Sequence, residues 1–358
     1  MESVNNGELI DSSRISVVIQ GLTHYIENDK NCLFYRCVNS IKQYLPEAEI
    51  IVSTWKGQSC DESVVDIVLY NDEPESITSD ADINFKWNFN KMVVSTKSGI
   101  IASNREYALK FRADLSLIGI GFFRIVTKDN IPENRHKFRI FQNPVNISNI
   151  FTKTMFSSFD YFLYNLSDIV QFGKKEDLLD LWSRDLIDER ELKNAKIPQF
   201  FFNHFSYHGL KVCPEQALMT GWLNSHRYNV NLPYTSYVSR KGFYLFELLL
   251  SINFNTLNWE QTDILYPERF LSSPVILDQY VYRAEDINVL HEKYNFLIFN
   301  RRFLYCLKII YLDKFLSIFF WDLLCKKILL TILSPKLYST LKSKWRVAIN
   351  KKHKDKVN

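Results

Sequence analysis

The chain is most constrained by residues 87–114, where a helical pattern of side chains passes directly into the pattern of a strand. Tyr107, Leu109 and Phe111 alternate with small or charged residues, which predicts a strand that ends near Asp114. Open α/β sheets bind ligands beyond the carboxyl ends of their strands, so this charged end marks a candidate site. Before the strand, apolar side chains recur at steps of three and four, which predicts an amphipathic helix. Its buried face is predicted to contain Phe89, Met92, Val93, Thr96, Ile100 and Ile101.

Three further strands are predicted upstream of this stretch. Residues 15–21 (ISVVIQG) are typical of a buried central strand followed by a tight turn, a position suited to a nucleotide. A helical pattern over residues 31–44 leads to a second buried strand at 49–55, and residues 66–72 form a third. Strands that alternate with helices predict an α/β fold with a mostly parallel sheet and right-handed crossovers.

Composition limits what such a sheet can belong to. With 358 residues and 46% hydrophobic side chains, the chain can bury one large core, or one core and a small appendage. The six cysteines show no zinc-like or disulfide-like spacing and are interpreted as reduced, mostly buried thiols. The histidines, His24 among them, are interpreted as structural. The polar, acidic N-terminus does not resemble a signal peptide, so a cytoplasmic location is expected.

Basic charge is concentrated at the C-terminus. Residues 301–358 contain 14 Lys and Arg against 3 Asp, although the whole chain has a net charge of only +4. Aromatic and aliphatic side chains accompany this charge, which favours an anionic membrane surface over nucleic acid as the partner. Charged residues interrupt every apolar run, so peripheral attachment is expected rather than a spanning helix. Docking of these apolar helices onto the body of the protein is the alternative.

Several segments also carry a family resemblance. These are SVVIQG (16–21), PEAEIIVSTW (46–55), VLYNDEP (68–74), NFNKMVVSTKSGI (88–100), YALKFRADL (107–115), LSDIVQFGKKEDLLDLW (166–182) and PEQALM (214–219). In this order and spacing they resemble the WavE lipopolysaccharide synthesis family, glycosyltransferases of bacterial surface-polysaccharide gene clusters. The resemblance covers about the first two thirds of the chain and ends near residue 235.

The resemblance implies a GT-A-like nucleotide-sugar-binding fold, which we assign to a single domain over residues 1–297. The charge and aromatic content assign residues 298–358 to a basic, aromatic-rich helical tail. The donor half of the domain would span residues 13–125 and its acceptor half residues 126–297. The implied activity is hexosyltransferase-like transfer from a nucleotide sugar, such as a UDP-hexose, to a lipid-linked or oligosaccharide acceptor. The product would be lipopolysaccharide core, O-antigen or capsule, made at the inner face of the cytoplasmic membrane. No nucleic-acid partner is expected.

Donor chemistry selects residues at the strand ends. A departing nucleotide diphosphate needs cations or a divalent metal, because negative charge develops on the leaving oxygen. Asp114 is the candidate ligand of a divalent cation (Mg²⁺ or Mn²⁺), although it lacks the Asp-x-Asp pairing of many metal-dependent GT-A enzymes. The candidate donor-binding residues are Gln20, Gly21, Asp72, Asn90, Lys91, Lys110 and Arg112. Five of these residues also have a simpler interpretation: a solvent-facing stripe of the strand for Lys110 and Arg112, a turn for Asp72, and a solvent-exposed helix face for Asn90 and Lys91.

Acceptor chemistry selects two carboxylates in the second half. Asp168 lies in a largely extended segment, residues 159–173, near its junction with a helix that starts at Lys174, and it is a candidate for binding acceptor hydroxyls. Alternatively, Ser167 and Asp168 stabilise a bend through local hydrogen bonds. Glu215 follows Pro214 in a first helical turn and is the candidate general base of an inverting transfer, with a helix-capping role as the alternative.

Two other classes of protein remain compatible with the sequence. A sugar-nucleotide nucleotidyltransferase would use the same sheet and metal, but residues 20–24 (QGLTH) are a poor phosphate-binding loop for it. A non-catalytic, membrane-surface carbohydrate-binding protein would need only the tail and a sugar-binding cleft. Assays of donor hydrolysis and transfer distinguish these classes from a glycosyltransferase.

Overall fold

The computed structural model describes residues 7–79, 85–125, 131, 133–152, 162–196, 209–271 and 281–308, together with the single residues 312, 316 and 321. By its internal contacts the chain divides into two units, Met1–Phe303 and Leu304–Asn358. Most of the basic tail, including residues 322–358, lies outside the described residues, so the helical tail stays a prediction.

The strands of the first unit are numbered in chain order. They are β1 (Glu8–Leu9), β2 (Ile15–Gln20), β3 (Glu49–Trp55), β4 (Ile67–Asn71), β5 (Ile77–Thr78), β6 (Lys86–Trp87), β7 (Tyr107–Phe111), β8 (Ser116–Leu117), β9 (Arg124–Ile125), β10 (Val145–Ser148), β11 (Gln171–Lys174), β12 (Phe254–Leu257) and β13 (Ile264–Leu265).

The helices are also numbered in chain order. They are α1 (Leu33–Tyr44), α2 (Phe89–Ala102), α3 (Lys175–Trp182), α4 (Glu189–Lys193), α5 (Pro214–Ser225), α6 (Arg240–Asn253), α7 (Glu268–Leu271), α8 (Ala284–Lys293) and α9 (Phe296–Lys308). In the described part of the chain, no helix has both the length and the apolar character needed to cross a bilayer.

Seven strands form the central sheet, in the order β12-β10-β11-β7-β2-β3-β4. β11 runs antiparallel to both of its neighbours, and the other adjacent pairs are parallel. The predicted α/β fold with a mostly parallel sheet is therefore confirmed. From β2 the chain moves outward to β3 and β4 and then returns to the other side of β2 as β7. The direction of winding thus reverses between β2 and β7.

Helices α1 and α2 cover opposite faces of β2. Val17 and Ile19 share a buried cluster with Phe34 of α1, whereas the intervening Val18 packs against Gly99 of α2. All six residues of β2 are buried, and so are all five of β7. Burial on both faces explains why continuous apolar runs located the central strands in the sequence.

The predicted buried face of α2 is partly wrong. Ile101 is 56% exposed, whereas Ser95 and Asn90 are buried. The side of α2 that meets the sheet contains small residues, Ser95, Thr96 and Gly99, which let the helix backbone approach β2 closely. Hydrophobic periodicity does not detect a helix face that packs through small residues.

The second half of the unit follows the sequence prediction less closely. The helices predicted from Lys174, Pro214, Phe243 and Ala284 are confirmed as α3, α5, α6 and α8. The extended segment predicted at 159–173 is described from residue 162, and its strand, β11, begins only at Gln171. The strand predicted at 275–282 lies mostly outside the described residues. Among the described residues, the prediction of reduced thiols is confirmed for Cys32, Cys37, Cys60, Cys213 and Cys306.

Candidate functional site

The carboxyl ends of β2 and β7 form the point where the winding of the sheet reverses. In open α/β sheets a crevice opens at such a point and binds ligands. Gln20 ends β2 and is followed by Gly21, while Arg112 and Asp114 follow β7. Because β2 and β7 are paired and parallel, these residues lie at the same edge of the sheet.

The turn after β2 is held by hydrogen bonds, and the backbone of Gly21 borders open space. Gly21 has a φ of +92°, in the left-handed region that favours glycine, and its N–H donates to the Ser53 carbonyl oxygen at 2.9 Å. A Cβ added to Gly21 would meet no atom within 4 Å, so the backbone faces open space. Gln20 is held by Ser95, whose Oγ donates to Gln20 Oε1 at 2.9 Å.

Asp114 is paired with two arginines. Arg112 Nε donates to Asp114 Oδ1 at 2.8 Å, and Arg112 Nη2 donates to Oδ2 at 2.9 Å. Arg269 Nη2 also donates to Oδ2. Burial raises the pKa of Asp114, but the hydrogen bonds from Arg112 and the charges of Arg112, Arg269 and His24 outweigh burial. The pKa of Asp114 is therefore lowered, and the group is an anion at neutral pH.

Sequence reasoning missed Arg269 and His24. Arg269 lies on α7, a four-residue helix that carries no recognisable motif, and it reaches Asp114 across 155 positions of sequence. The ring of Phe270 lies 4.8 Å from the guanidinium carbon of Arg269 and 5.3 Å from that of Arg112. His24 has a φ of 53° in the loop after β2 and lies close enough to Asp114 to act on its pKa. His24 is the last residue of QGLTH, and its position directly after the predicted strand was the one sequence signal available.

Lys110 is buried beneath the same site. Its Nζ donates to the carbonyl oxygen of Asp168 and lies 3.5 Å from that of Ile169. The ring of Trp182 is 5.3 Å away, and the side chain is fully buried. Burial lowers the pKa of Lys110 to about 8. The solvent-facing position considered for Lys110 is wrong, because Lys110 is fully buried in the central strand β7. Arg112 follows β7 and is partly exposed.

Asp168 lies beyond the end of β7 because β11, which it precedes, runs antiparallel to β7. Burial raises the pKa of the Asp168 carboxyl, against the opposing charges of Lys110 and Arg112. The hydroxyl of the neighbouring Ser167 is buried and has no hydrogen-bond partner in the described structure. The local hydrogen bond considered for Ser167 is therefore not made by this hydroxyl.

The first turn of α5 is anchored to Leu163 and Asn165, which precede Asp168 in the chain. Gln216 Nε2 donates to the carbonyl oxygens of Leu163 and Thr235, both at 2.8 Å, and Gln216 Oε1 accepts from the Cys213 N–H at 3.2 Å. Cys213 Sγ donates to Asn165 Oδ1 at 2.9 Å. The side chain that caps this helix is thus Gln216, and the partly exposed Glu215 precedes it.

Three predicted donor residues have other partners here. Asp72 is exposed and pairs with Lys56 at 2.7 Å, and Lys91 Nζ lies 2.6 Å from Glu73 Oε1. The buried amide of Asn90 makes two hydrogen bonds to the backbone of Ile187, at 2.9 and 3.0 Å. The solvent-exposed helix face considered for Asn90 is therefore wrong. Neighbouring strands are spaced by about 4.8 Å, so β4 and its Asp72 lie about 14 Å from β7. Asp72 shares the sheet edge with Asp114 without touching it, and these three donor roles stay predictions.

The residues present fit a divalent cation only if the substrate helps to hold it. Within the described ranges, no group of three or more His, Cys, Asp and Glu is placed to bind a metal. Asp114 supplies one carboxylate. Mg²⁺ commonly binds through one or two carboxylates and takes its other ligands from substrate phosphates and water, so a lone Asp114 suits that shared arrangement.

The fold and this edge define an α/β protein in which the switch point of the sheet carries Lys110, Arg112 and Arg269 together with Asp114. The chain matches the family model described as WavE lipopolysaccharide synthesis over residues 15–332 and therefore belongs to that family. The suspected resemblance is confirmed, and the match extends well past residue 235, where the recognisable segments end. Membership connects the chain with lipopolysaccharide synthesis.

The solved structures that match the chain have low TM-scores. One is 4-diphosphocytidyl-2C-methyl-D-erythritol synthase from Anaerococcus prevotii DSM 20548, with 14% identity, a TM-score of 0.26, and coverage of 61% of this chain and 100% of that chain. Another is the nucleoside-diphosphate-sugar pyrophosphorylase from Vibrio cholerae RC9, with 11% identity, a TM-score of 0.25, and coverage of 47% and 77%. No curated protein matches the chain. At this similarity, no substrate or activity is transferred from either enzyme.

Proposed function

We propose that the protein is a GT-A-like glycosyltransferase that moves a sugar from a nucleotide-sugar donor to a lipid-linked or oligosaccharide acceptor in bacterial surface-polysaccharide synthesis. The observation that carries the proposal is the charge at the switch point. Arg112 and Arg269 donate to the ionised carboxylate of Asp114, and the buried Lys110 lies close enough for that charge to act on its pKa. An excess of cations beside an open backbone turn suits the diphosphate of a nucleotide sugar.

The donor is proposed to lie along the carboxyl edge of the sheet. Gln20 and Gly21 would contact the nucleoside, because the turn after β2 is rigid and faces open space. Asp72 and Lys91 lie farther along the edge and would contact the base or ribose. Asn90 would support donor binding indirectly, because its side-chain amide holds the backbone of Ile187 in place. In this arrangement the diphosphate lies near Arg112.

The leaving diphosphate needs its developing charge stabilised. Arg112 and Arg269 would donate hydrogen bonds to phosphate oxygens, a geometry that guanidinium groups match well. Asp114 would hold a divalent cation, Mg²⁺ or Mn²⁺, which when bound neutralises charge on the diphosphate. Lys110 would keep the Asp168 segment in place through its carbonyl contacts.

The acceptor is proposed to lie between Asp168 and the first turn of α5. Glu215 would take the proton of the attacking hydroxyl, and the dipole of α5 favours its ionised form. Asp168 would bind an acceptor hydroxyl. Because burial raises the pKa of Asp168, its carboxyl can also donate a hydrogen bond in the protonated form.

The test is turnover of a panel of nucleotide sugars, measured as release of nucleoside diphosphate. Wild type should turn over at least one donor, and Asp114→Asn should lose most of the metal-dependent rate because its amide cannot neutralise a cation. Glu47→Gln is the matched control, since Glu47 is an exposed carboxylate before β3 at the opposite edge of the sheet. Full metal-dependent turnover by Asp114→Asn would exclude Asp114 as the ligand.

Other outcomes of the same assay identify the other classes. Release of pyrophosphate from a nucleoside triphosphate and a sugar phosphate would identify a nucleotidyltransferase. Binding of saccharide without any turnover would identify a carbohydrate-binding protein. A lipid-linked acceptor also implies work at a membrane, and we place the enzyme in the cytoplasm, peripheral on the inner membrane face through its basic tail.

A further inference from the structure

A cavity of about 240 Å³ lies in the proposed acceptor half, where its lining residues all fall within residues 184–232. Residues of α4 and of the second half of α5 line it, and three of its lining residues are charged, namely Arg184, Lys211 and Glu191. Part of its wall is apolar: Ile187, Leu192, Val212, Val230 and Leu232. Sites for drug-sized ligands have volumes of about 300 to 1,000 Å³, so this smaller cavity suits one sugar unit.

The cavity lies at the carboxyl edge of the sheet, where the donor is proposed to bind. Ser95 of α2 contacts Gln20 at the end of β2, whereas the later residue Gly99 packs against Val18 inside the strand. The helix therefore runs from the carboxyl edge towards the amino edge. Its first turn lies beyond the carboxyl edge and holds the backbone of Ile187, which lines the cavity.

Arg184 is the most buried cation of this cavity. Its Nη1 donates to the carbonyl oxygen of Ala217, and its Nε donates to that of Asp185 at 3.1 Å. In the described part of the chain, no carboxylate forms an ion pair with this guanidinium, and its Nη2 makes no hydrogen bond. Burial lowers the pKa of Arg184 to about 10, against the attraction of Glu191 and the exposed Asp185. An anion that enters the cavity would stabilise this charge.

The fold holds the guanidinium of Arg184 in place before any ligand binds. A Cβ on Gly221 would lie 2.6 Å from Arg184 Nη1 and 2.8 Å from Arg184 Cζ, so the glycine makes room for the side chain against α5. The ring of Phe89, at the start of α2, lies 5.4 Å from Arg184 Cζ. A cation fixed in this way loses little conformational entropy when it binds a ligand.

Lys211 is the second cation of the cavity. Its Nζ lies 3.7 Å from Glu191 Oε1, and its side chain is 22% exposed, whereas that of Glu191 is 61% exposed. Two cations and one carboxylate line the cavity, so one positive charge is in excess there. A concave surface with an excess of one charge attracts ligands of the opposite charge.

We propose that this cavity binds the carboxylate or phosphate group of an acidic sugar in the acceptor, with Arg184 as its main contact and Lys211 as the second. This inference rests on the proposed transferase function and identifies its acceptor as an anionic saccharide. Nη2 of Arg184 donates to the anion, and the apolar wall covers the sugar ring. A neutral sugar of the same size leaves both cations without a partner, so the cavity selects against it.

The test compares three methyl glycosides of equal ring size by isothermal titration calorimetry on the full chain. They are the glucuronide, the glucoside 6-phosphate and the neutral glucoside. Wild type should bind at least one of the two anionic sugars about tenfold more tightly than the neutral one, a difference of about 1.4 kcal/mol. The tighter of the two distinguishes a sugar acid from a sugar phosphate. If neither anionic sugar binds more tightly than the neutral glucoside, the proposal is overturned.

Variants assign this preference to the cavity. Arg184→Gln should abolish it, whereas Arg190→Gln should preserve it, because Arg190 is an exposed residue of α4 that does not line the cavity. Gly221→Ala keeps both charges but displaces the guanidinium, so it should also weaken the preference. Lys211→Gln removes the less buried cation and decides the test should Arg184→Gln fail to fold, which circular dichroism reports. An undiminished preference in folded Arg184→Gln, or in both other cavity variants, overturns the assignment.

Two further ligands separate the acidic sugar from other anions. Inorganic phosphate should bind more weakly than the sugar phosphate, because it makes no contact with the apolar wall. Uridine diphosphate should not displace a bound anionic sugar. Equal binding of inorganic phosphate would identify a simple anion site, and displacement by uridine diphosphate would assign the cavity to the donor. Either result overturns the proposal.

Failure of this inference is distinguishable from failure of the proposed function. If an anionic sugar binds through Arg184 but no nucleotide sugar is turned over, the cavity recognises acidic sugars and the transferase assignment is wrong. If nucleotide sugars are turned over but no anionic sugar is preferred, the transferase assignment stands and the acidic-sugar site is wrong.

Discussion

Gly99 of α2 lies so close to Val18 of β2 that a Cβ on Gly99 would be 2.2 Å from Val18 Cγ1. The helix therefore packs backbone against strand directly beneath the turn at Gln20 and Gly21. Gly99→Ala should destabilise the fold, since overpacking of a core costs about 1 to 3 kcal/mol and exceeds the gain of up to about 1 kcal/mol in helix propensity. Urea unfolding measures the change.

Ser98→Ala is the matched control for this prediction. Ser98 is the preceding residue of α2 and is partly exposed, so the added helix propensity acts there without the clash. Its free energy of unfolding should stay within about 0.5 kcal/mol of wild type. Equal stability of Gly99→Ala and Ser98→Ala would show that α2 can move away from β2 at no cost.

Lys110 should make stability rise with pH in the alkaline range. Burial lowers the pKa of Lys110 from its ordinary 10.5 to about 8, so between these values the unfolded chain binds more protons than the folded chain. Stability rises with pH wherever the unfolded state binds more protons. From pH 7 to pH 10 the contribution of Lys110 should grow by about 2 kcal/mol, on the scale of 1.36 kcal/mol per pKa unit.

The measurement is urea unfolding of wild type and Lys110→Met across this pH range. Other groups titrate too, so the informative quantity is the difference in free energy of unfolding between the two proteins. That difference should shift in favour of wild type as pH rises. A difference that is constant from pH 7 to pH 10 would mean that Lys110 keeps an ordinary pKa when folded.

The central sheet could be predicted from sequence because its strands are buried on both faces. β2, β3 and β7 then appear as continuous or alternating apolar runs, and the parallel order follows from the helices between them. Gln20 and Asp114 were found for the same reason, since they end such runs. A local sequence pattern is sufficient to predict a strand wherever buried side chains recur regularly along the chain.

The rest of the site depends on contacts that no local pattern encodes. Arg269 reaches Asp114 from a short helix far along the chain, and Lys110 reaches carbonyls of a segment that follows much later. Asn90 is polar by type but buried by its contact with Ile187. Side chains are placed by such long-range packing, so neither their partners nor their burial can be read from spacing.

The basic tail should provide electrostatic attachment to anionic membranes. A full-length variant with Lys351, Lys352, Lys354 and Lys356 changed to Gln should sediment with anionic vesicles much more weakly than wild type. Each basic residue near such a surface contributes about 1 kcal/mol. Neutral phosphatidylcholine vesicles are the control and should bind both proteins equally poorly. If the variant binds anionic vesicles as strongly as wild type, other surfaces of the protein must provide the attachment.

Glu215→Gln should cut turnover by about a hundredfold or more, the usual scale of general base catalysis, while donor binding stays near normal. The capping side chain of α5 is Gln216, so the helix start should survive the change. A loss of turnover could still arise from the weakened helix dipole interaction. Glu176→Gln controls for that effect, because Glu176 is exposed in the first turn of α3, at the other edge of the sheet.

Both variants lose about 0.3 to 1 kcal/mol of dipole stabilisation, so they should have similar free energies of unfolding. Only Glu215→Gln should lose turnover, because only Glu215 is proposed to face the acceptor. It lies between Cys213 and Gln216, which anchor α5 to the segment that precedes Asp168. A single carboxylate acting as base also requires inversion at the anomeric carbon, which NMR of the first-formed product reports. Unchanged turnover in Glu215→Gln, or a product that retains the donor configuration, would remove Glu215 from this role.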